Sequence, residues 1–461
     1  MGTEVAGCRP RSRFRVTEPP PGTLPRWPAA RARHLGALVV GLAAERRPAV
    51  PVADDDIVAD GDRDDIVADG DRDDLVADGD LDDTVADGDR DDTVADGDLD
   101  DIVALALHHR LPGLFFRRLR AAAAPDGRLR PLADAYQFAS TRYLGQLAQL
   151  AQLRPILDET DPTWLVVKGP VLGAEAYGDP GLRTAYDLDL VVRPQRFADV
   201  LAAIEAAGGR ARQRNWPLLR RLELGQLVVD LPLGGTGDLH WHLLNTPFIR
   251  RRYALDMDEL RERRRTVTLD GVRVPTLDAT DSLLHLCLHG ALSGSHLLVW
   301  SKDVARVAAD LPIDWDELVR RATRARLGLV TAVQLERARV VLGAPVDPAV
   351  VTALAPRNAL VAAWSRADRV RRSQWARDRH TGKTLSAALS ATTPATAAEL
   401  TRRLPLEVLV PRLAAAAHRP AAPPPGQSPL TQPVGDDTDR QHYLAFVGAQ
   451  DGLRRSPSAS Q

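Results

Sequence analysis

Apolar residues recur along the chain at two spacings, and each spacing predicts a different kind of element. Apolar positions three and four residues apart predict helices. The helical segments are 34–47, 101–123, 131–158, 196–207 and 280 to about 417. Short apolar or alternating runs between turn residues predict strands. These runs are 164–167, 185–192, 226–231 and 238–243, with a hairpin over 265–274.

This order of elements predicts an α+β protein. We expect a small mixed β-sheet with flanking helices, a helical N-terminal region and a C-terminal helical domain. The chain ends are rich in Pro with Arg, or in Pro, Gly and Ser, and show no period, so we expect disorder there. The predicted segments are 1–33 (disordered), 34–53 (short helix), 54–100 (acidic insertion), 101–160 (helices), 161–278 (sheet core), 279–418 (helical domain) and 419–461 (disordered tail).

The acidic insertion is an internal repeat with a period of nine residues. Val-Ala-Asp-Gly-Asp begins at residue 58 and recurs at 67, 76 and 85, with a further copy from 94. Asp60, Asp62 and Asp64 have the spacing of calcium-loop ligands, but the turn glycine of such a loop belongs where Asp65 stands. We favour an expanded, solvated acidic tract that does not touch the functional site. A calcium-responsive scaffold is the alternative.

The net charge of −2 hides an uneven distribution of charge. Residues 54–101 contain 23 Asp and three Arg, so the rest holds 57 basic and 39 acidic residues, a balance of +18. A basic body suits phosphate-bearing ligands. However, the chain has only three Lys. A general bias of its composition toward Arg and Ala explains the excess of basic residues equally well. Nucleic acid is therefore not the expected partner.

Cysteine content and apolar runs predict a soluble protein of the cytoplasm. Cys8 and Cys287 allow at most one disulfide, which favours a reducing compartment. The apolar run 35–44 begins too late for a signal peptide and is too short to span a bilayer. We expect no membrane partner.

The sequence Asp187-Leu188-Asp189 is the candidate metal site. On a strand, alternation directs both carboxylates to one face and Leu188 to the other. Two adjacent carboxylates repel each other unless a cation neutralises them. Mg²⁺ binds one or two carboxylates together with phosphate oxygens, so the pair suits a nucleotide-bound Mg²⁺.

The residues before this strand strengthen a phosphate-binding interpretation. Gly169 follows a predicted strand and precedes a predicted helix, where backbone N–H groups can approach phosphates. Lys168 lies beside it in a chain that has only three lysines. Arg183 precedes Asp187 by four residues and could bind a phosphate through two N–H groups, or instead pair with the two aspartates.

Four segments of the chain resemble those of a known protein family. They are Trp-Leu-Val-Val-Lys-Gly-Pro-Val-Leu-Gly (164–173), Tyr-Gly-Asp-Pro-Gly-Leu-Arg (177–183), Tyr-Asp-Leu-Asp-Leu-Val-Val (186–192) and Asp-Leu-His-Trp (238–241). Together they resemble the uncharacterised nucleotidyltransferase family of bacteria, part of the polymerase-β-like superfamily. The resemblance covers residues 34–47 and 101–310. It implies that 161–278 form a nucleotidyltransferase core, with Lys168-Gly169 in place of the usual Gly-Ser.

The resemblance also implies a two-metal transfer of a nucleoside monophosphate from a nucleoside triphosphate to a hydroxyl acceptor. Asp187, Asp189 and Asp238 would hold Mg²⁺, and Lys168, Gly169, Arg183 and His240 would contact the nucleotide. The acceptor would be a small molecule or a protein. Asp230, on the preceding strand, competes with Asp238 as the third carboxylate. The alternative function is a non-catalytic nucleotide-binding or antitoxin-like regulatory module on the same fold.

Two further features are predicted to be structural. His285 and His289 are four residues apart on a predicted helix, but no Glu follows His285, so the zinc-protease pattern is absent. We expect packed histidines with satisfied hydrogen bonds. Asp303 resembles a family position, and packing or capping is the plainer interpretation, although it could reach the site.

Overall fold

The computed structural model describes residues 24–44, 95–122, 127–356, 359–370, 375–376 and 428–450. Most of the acidic repeat and both extreme ends lie outside these residues. The predictions made for 1–23, 45–94, 377–427 and 451–461 therefore remain predictions. The described part is a mixed α and β structure, as the sequence predicted.

A seven-stranded mixed sheet forms the middle of the described chain. Its strands are β1 (Leu165–Val167), β2 (Asp187–Val191), β3 (Arg210–Ala211), β4 (Gln226–Asp230), β5 (Thr236–His240), β6 (Arg265–Leu269) and β7 (Val272–Thr276). The strand order is β3-β4-β5-β2-β1-β7-β6. β2 runs parallel to β5 and β1 parallel to β7, whereas the other neighbours are antiparallel. The two-residue edge strand β3 was not predicted.

One face of the sheet is apolar along its whole central part. Leu188, Leu190 and Leu239 are fully buried there. They share a core cluster with Leu150 of helix α4 (Arg130–Thr160) and Val200 of helix α6 (Phe197–Ala206). Burying each such side chain contributes about 1.5–3 kcal/mol. The opposite face is left to carry the polar side chains of β2 and β5.

Short helices connect the strands. They are α5 (Gly169–Glu175), α7 (Trp216–Leu222), α8 (Pro247–Arg252) and α9 (Met257–Glu262). α5 follows β1 directly, so the turn between them lies at the edge of the sheet where β1 ends. This β1–turn–α5 unit is the local structure predicted from the Lys168-Gly169 sequence.

The helices before and after the sheet share one hydrophobic core. Those before it are α1 (Ala29–Ala44), α2 (Leu99–His108) and α3 (Pro112–Ala122), followed by α4. Those after it are α10 (Ala279–Leu292), α11 (Leu298–Asp310), α12 (Trp315–Arg324), α13 (Gly328–Leu342), α14 (Pro348–Leu354) and α15 (Ala359–Val370). Leu35 of α1 and Leu335 of α13 belong to the same cluster of buried side chains. Among the described helices, none is both long and apolar enough to cross a bilayer.

α1 begins five residues earlier than predicted, at Ala29, and it is tied to the far side of the acidic repeat. Arg31 of α1 forms ion pairs with Asp98 and Asp101, the latter at 2.7 Å. The last repeat unit therefore contributes Asp98, which is buried, to the folded structure. The sequence Pro112-Gly113 predicts an interruption of the helical segment 101–123, and the structure has one, because α2 ends at His108 and α3 begins at Pro112.

The tail predicted to be disordered over 419–461 contains an ordered segment over 428–450, which corrects that prediction. Its helix α16 (Asp437–Gly448) begins with a capping box formed by Asp436 and Asp439. Tyr443 and Val447 are fully buried in the core cluster of the sheet. The partners of α16 lie more than 200 residues away in sequence, so no local pattern announced this packing.

Candidate active site

A strained turn carries Lys168 to the polar face of the sheet. Lys168 has φ 56° and ψ −132°, and Gly169 has φ 40°. Positive φ is costly for a residue with a side chain, on the order of 1–3 kcal/mol. At Gly169 an added Cβ would lie 3.6 Å from the carbonyl oxygen of Asp187, so the turn passes close to β2. The turn holds the Lys168 side chain against the aspartates of that strand.

The carboxylates of β2 and β5 lie on one face because the two strands are parallel and in register. Asp189 pairs with Asp238, and Asp187 pairs with Thr236. Alternation along β2 directs Asp187 and Asp189 to the same side, opposite the buried Leu188. The backbone carbonyl of Asp187 also accepts a hydrogen bond of 2.8 Å from Gln146 Nε2 on α4.

The closest group of ligand-type atoms consists of Asp189, Asp238 and His240. One side-chain donor atom from each lies within 4.8 Å of the others. The family resemblance of the sequence implies Asp187, Asp189 and Asp238 as the ligands. Among the described residues, the compact group contains His240 where Asp187 was expected. Asp187 remains coupled to the group through its charge, because it raises the pKa of Asp238.

Asp189 is the electrostatic centre of this group. Its Oδ1 lies 3.2 Å from Lys168 Nζ and 2.9 Å from His240 Nε2. Burial alone would raise the pKa of Asp189, but the charge of Lys168 and the hydrogen bond from His240 outweigh burial and hold the pKa well below its usual value. Asp189 is therefore a carboxylate that is already ionised and oriented.

At Asp187 and Asp238, no basic side chain in the described part of the chain offsets the effect of burial on the pKa as fully as Lys168 does at Asp189. Burial, followed by the charges of Asp189 and Asp187, raises the pKa of Asp238 to about 6, although His240 lowers it. Burial and the charge of Asp189 also raise the pKa of Asp187. Gln226 Nε2 donates a hydrogen bond of 2.8 Å to Asp238 Oδ2. The site thus holds more negative charge than Lys168 neutralises, which is the condition that favours a bound cation.

Asp230, the competitor for the third carboxylate, is occupied elsewhere. Its carboxylate accepts a hydrogen bond of 2.7 Å from Arg210 Nε and lies 3.2 Å from Arg212 Nε. Both arginines are exposed and come from the edge of the sheet. Asp238 belongs to the compact donor group and Asp230 does not. The geometry therefore favours Asp238.

Arg183 lies in the site region in an ion pair that the sequence analysis did not propose. Its Nε and Nη2 donate to the two oxygens of Asp303 on α11, at 2.8 and 2.9 Å. Tyr177 Oη donates to Asp303 Oδ1 at 2.8 Å. Burial would lower the pKa of Arg183, but Asp303 raises it above its usual value. The interpretation of Asp303 as a packing residue missed this role, because 120 residues separate the partners.

Helix α10 places two histidines over the same region. Burial first, and then the charge of Lys168, lowers the pKa of His285 to about 3. The same two causes lower the pKa of His289. Neither ring nitrogen of His285 has a hydrogen-bond partner among the described residues. The prediction of satisfied histidines is therefore wrong for His285, which is buried, neutral and close to Lys168 and Asp189.

The residues present fit a divalent cation of the Mg²⁺ type. Such an ion holds its ligands at about 2.0–2.1 Å, so two donors of one ion lie at most about 4.2 Å apart. The donor atoms of Asp189, Asp238 and His240 lie within 4.8 Å of one another, so small side-chain movements would let one ion contact the group. Asp189 and Asp238 supply oxygen ligands, and their combined charge is the reason that a cation would be bound.

Comparison with known proteins identifies the family. Residues 95–343 match the family described as uncharacterised nucleotidyltransferase. Because the match covers more than half of the 461 residues, the chain belongs to this family. No curated protein and no solved structure matches the chain. The family assignment supports nucleotidyl transfer as the general activity.

Proposed function

We propose that the protein transfers a nucleoside monophosphate from a nucleoside triphosphate to a hydroxyl group of a small molecule or protein, with Mg²⁺ at the Asp189–Asp238 pair. The hydroxyl oxygen forms a bond to the α-phosphorus, the bond to the β-phosphate breaks, and pyrophosphate leaves. The observation that carries this proposal is the in-register pairing of Asp189 with Asp238 on parallel strands, next to Lys168. This arrangement places two carboxylates side by side next to the positive charge of Lys168. The resemblance to polymerase-β-like enzymes supports the same reaction class.

Each residue has a defined part in the proposed reaction. Asp189 and Asp238 would bind divalent metal, which when bound polarises the phosphate and lowers the pKa of the attacking hydroxyl. Asp187, on the same face of β2, would be the further ligand near the triphosphate. Lys168 Nζ, now 3.2 Å from Asp189, would be shared with a phosphate oxygen. Gly169 would let the nucleotide approach the backbone of the turn.

His240 and Arg183 would act from the two sides of this centre. His240 Nε2 lies 2.9 Å from Asp189 Oδ1 and so faces the proposed metal position. Arg183 is fixed by Asp303 and raises the positive charge near Asp187. In this arrangement Arg183 contributes electrostatically while two of its N–H groups remain on Asp303.

The experiment follows radiolabel from a triphosphate into acceptors. Purified protein is incubated with α-³²P-labelled nucleoside triphosphates, Mg²⁺ and a cell extract, and labelled products are separated. We expect transfer by the wild type and none by Asp189→Asn. The matched control is Asp230→Asn, which removes a carboxylate from the next strand and should transfer normally.

Thermal shift with each triphosphate and Mg²⁺ separates binding from transfer. Binding without labelled product from any triphosphate would support the regulatory-module alternative. Normal transfer by Asp189→Asn, or loss of transfer in Asp230→Asn alone, would contradict the proposed site.

A further inference from the structure

The imidazole of His240 is held where a metal ligand would be, deep inside the site. The residue is only 6% exposed. Its Nε2 lies 2.9 Å from Asp189 Oδ1 and belongs to the group of donor atoms within 4.8 Å that includes Asp238. His240 follows Asp238 by two residues on β5, so both side chains project from the same face.

The second ring nitrogen, Nδ1, has no partner in the described part of the chain that would fix the position of the ring proton. His240 Nδ1 is buried and has no hydrogen-bond partner among the described residues. A partner at Nδ1 ordinarily selects the tautomer of a histidine. With Nδ1 unpartnered among these residues, nothing opposes a shift of the ring proton from Nε2 to Nδ1 when a cation binds at Asp189, and that shift frees the Nε2 lone pair for the metal. The site therefore contains two carboxylate donors and one nitrogen donor.

We infer that His240 is a nitrogen ligand of the metal at the Asp189–Asp238 pair, and that this donor set favours first-row transition ions, for which Mn²⁺ is the spectroscopic probe, over Mg²⁺. Mg²⁺ binds oxygen ligands and holds much of its water shell, whereas first-row transition ions bind imidazole well. The inference rests on the proposed function in placing a metal here. It adds a nitrogen ligand and thereby the choice of ion.

The competing role for His240 is purely one of orientation. In that role Nε2–H donates to Asp189, no nitrogen touches the metal, and the site has only oxygen donors. The two roles differ in one measurable property, the presence of a nitrogen nucleus bonded to the ion.

Pulsed electron paramagnetic resonance measures this property. Protein labelled with ¹⁵N-histidine is stripped with a chelator, loaded with one equivalent of Mn²⁺ and compared with variants. We expect ¹⁵N hyperfine coupling in the wild type and in the control His34→Asn, which alters a half-exposed histidine of α1. We expect the coupling to be lost in His240→Asn and in His240→Gln. Circular dichroism and thermal melting establish that each variant is folded.

Calorimetric titration with Mn²⁺ and with Mg²⁺ provides the second readout. Losing a ligand should weaken Mn²⁺ binding at least about tenfold, as even outer-shell changes do. Mg²⁺ binding should weaken less, so the preference for Mn²⁺ falls in both His240 variants. Equal losses for the two ions would overturn the inference.

The remaining outcomes also decide the matter. Mn²⁺ bound by the wild type without nitrogen coupling, coupling that persists in folded His240→Asn, or no Mn²⁺ binding would overturn it. Nitrogen coupling in a protein that fails the radiolabel assay would leave the metal site standing while the proposed function fails. Transfer without nitrogen coupling would do the reverse.

Discussion

Arg183 and Asp303 form a buried ion pair with two hydrogen bonds, at 2.8 and 2.9 Å. Arg183 lies just before β2, and Asp303 lies on α11 of the helical region. The side chains are 11% and 2% exposed, so water screens the pair weakly. This pair connects the segment that leads into β2 to helix α11, 120 residues further along the chain.

Removing one partner should be strongly destabilising. In Asp303→Ala the Arg183 guanidinium stays buried without its counter-charge, which costs about 3–5 kcal/mol. The free energy of unfolding is measured by urea denaturation at neutral pH. The control is Asp199→Ala, which breaks an exposed pair with Arg196 and should cost less than about 1 kcal/mol. Equal losses in the two variants would mean that the buried pair holds nothing together.

Lys168 combines a strained backbone with a functional side chain, and two substitutions separate these properties. Lys168→Gly and Lys168→Ala both remove the ammonium group beside Asp189. Only glycine accepts φ 56° and ψ −132° without strain. Lys168→Gly should therefore be more stable than Lys168→Ala by about 1–3 kcal/mol, less the ~0.4–1 kcal/mol that glycine loses through the unfolded chain.

Urea denaturation compares the two Lys168 variants, and thermal shift with a triphosphate measures their nucleotide binding. Both should lose nucleotide affinity to a similar extent, because both lack the same charge. An alanine variant that is more stable than the glycine variant by the ~0.4–1 kcal/mol that glycine loses through the unfolded chain would show that the turn stores no strain.

Local patterns in the sequence predicted much of the sheet and the main site. Alternation predicted that Asp187 and Asp189 share a face, and the Lys-Gly turn predicted a strand followed by a helix. The mixed α+β class is confirmed. These features depend on residues close together in sequence, where spacing alone sets which side chains meet.

Features that depend on distant contacts were not predictable. Arg183, in the segment before β2, pairs with Asp303 of α11 across 120 residues of sequence, and no local pattern predicts that contact. The edge strand β3 has two residues, too few to show alternation. The register of β5 against β2 places His240 in the compact donor group, and that register cannot be read from the sequence. Sequence composition also misjudged 428–450, because the Pro-rich surroundings of this segment indicated disorder and its short helix has little amphipathic pattern.

The two in-register aspartates should affect stability in opposite directions in metal-free protein. The folded-state pKa of Asp238, about 6, lies above its ordinary 3.8, so the folded state binds the extra proton between these values. Stability then falls as pH rises from about 4 to 6 and stays lower above. Asp238→Asn removes this penalty and should stabilise the protein at pH 8 by on the order of 1–3 kcal/mol, at ~1.4 kcal/mol per pKa unit.

Asp189 has a lowered pKa, so its ionised form contributes stability above its ordinary pKa, and this contribution is lost as pH falls. Asp189→Asn should therefore destabilise the protein at pH 8. Urea denaturation of both variants in chelator, at pH 4 and pH 8, tests the pair. Shifts of the same sign at pH 8 would contradict the assigned charge balance.

Tyr443 packs α16 against the core cluster on the apolar face of the sheet. Its ring contacts Phe197 and Trp216 at centroid distances of 6.4 and 5.8 Å. Its hydroxyl is buried without a hydrogen-bond partner among the described residues. A buried hydroxyl without a partner costs free energy, so the ring and the hydroxyl act in opposite directions.

Tyr443→Ala should cost about 3–5 kcal/mol, as expected when a buried aromatic ring is removed from a core. Tyr443→Phe keeps the ring and removes the unpaired hydroxyl, so its stability should equal or exceed that of the wild type. Urea denaturation monitored by tryptophan fluorescence measures both, since Trp216 lies against the ring. A loss in Tyr443→Phe as large as in Tyr443→Ala would mean that the hydroxyl has a partner in solution. A small loss in both would mean that α16 does not hold its position on the domain.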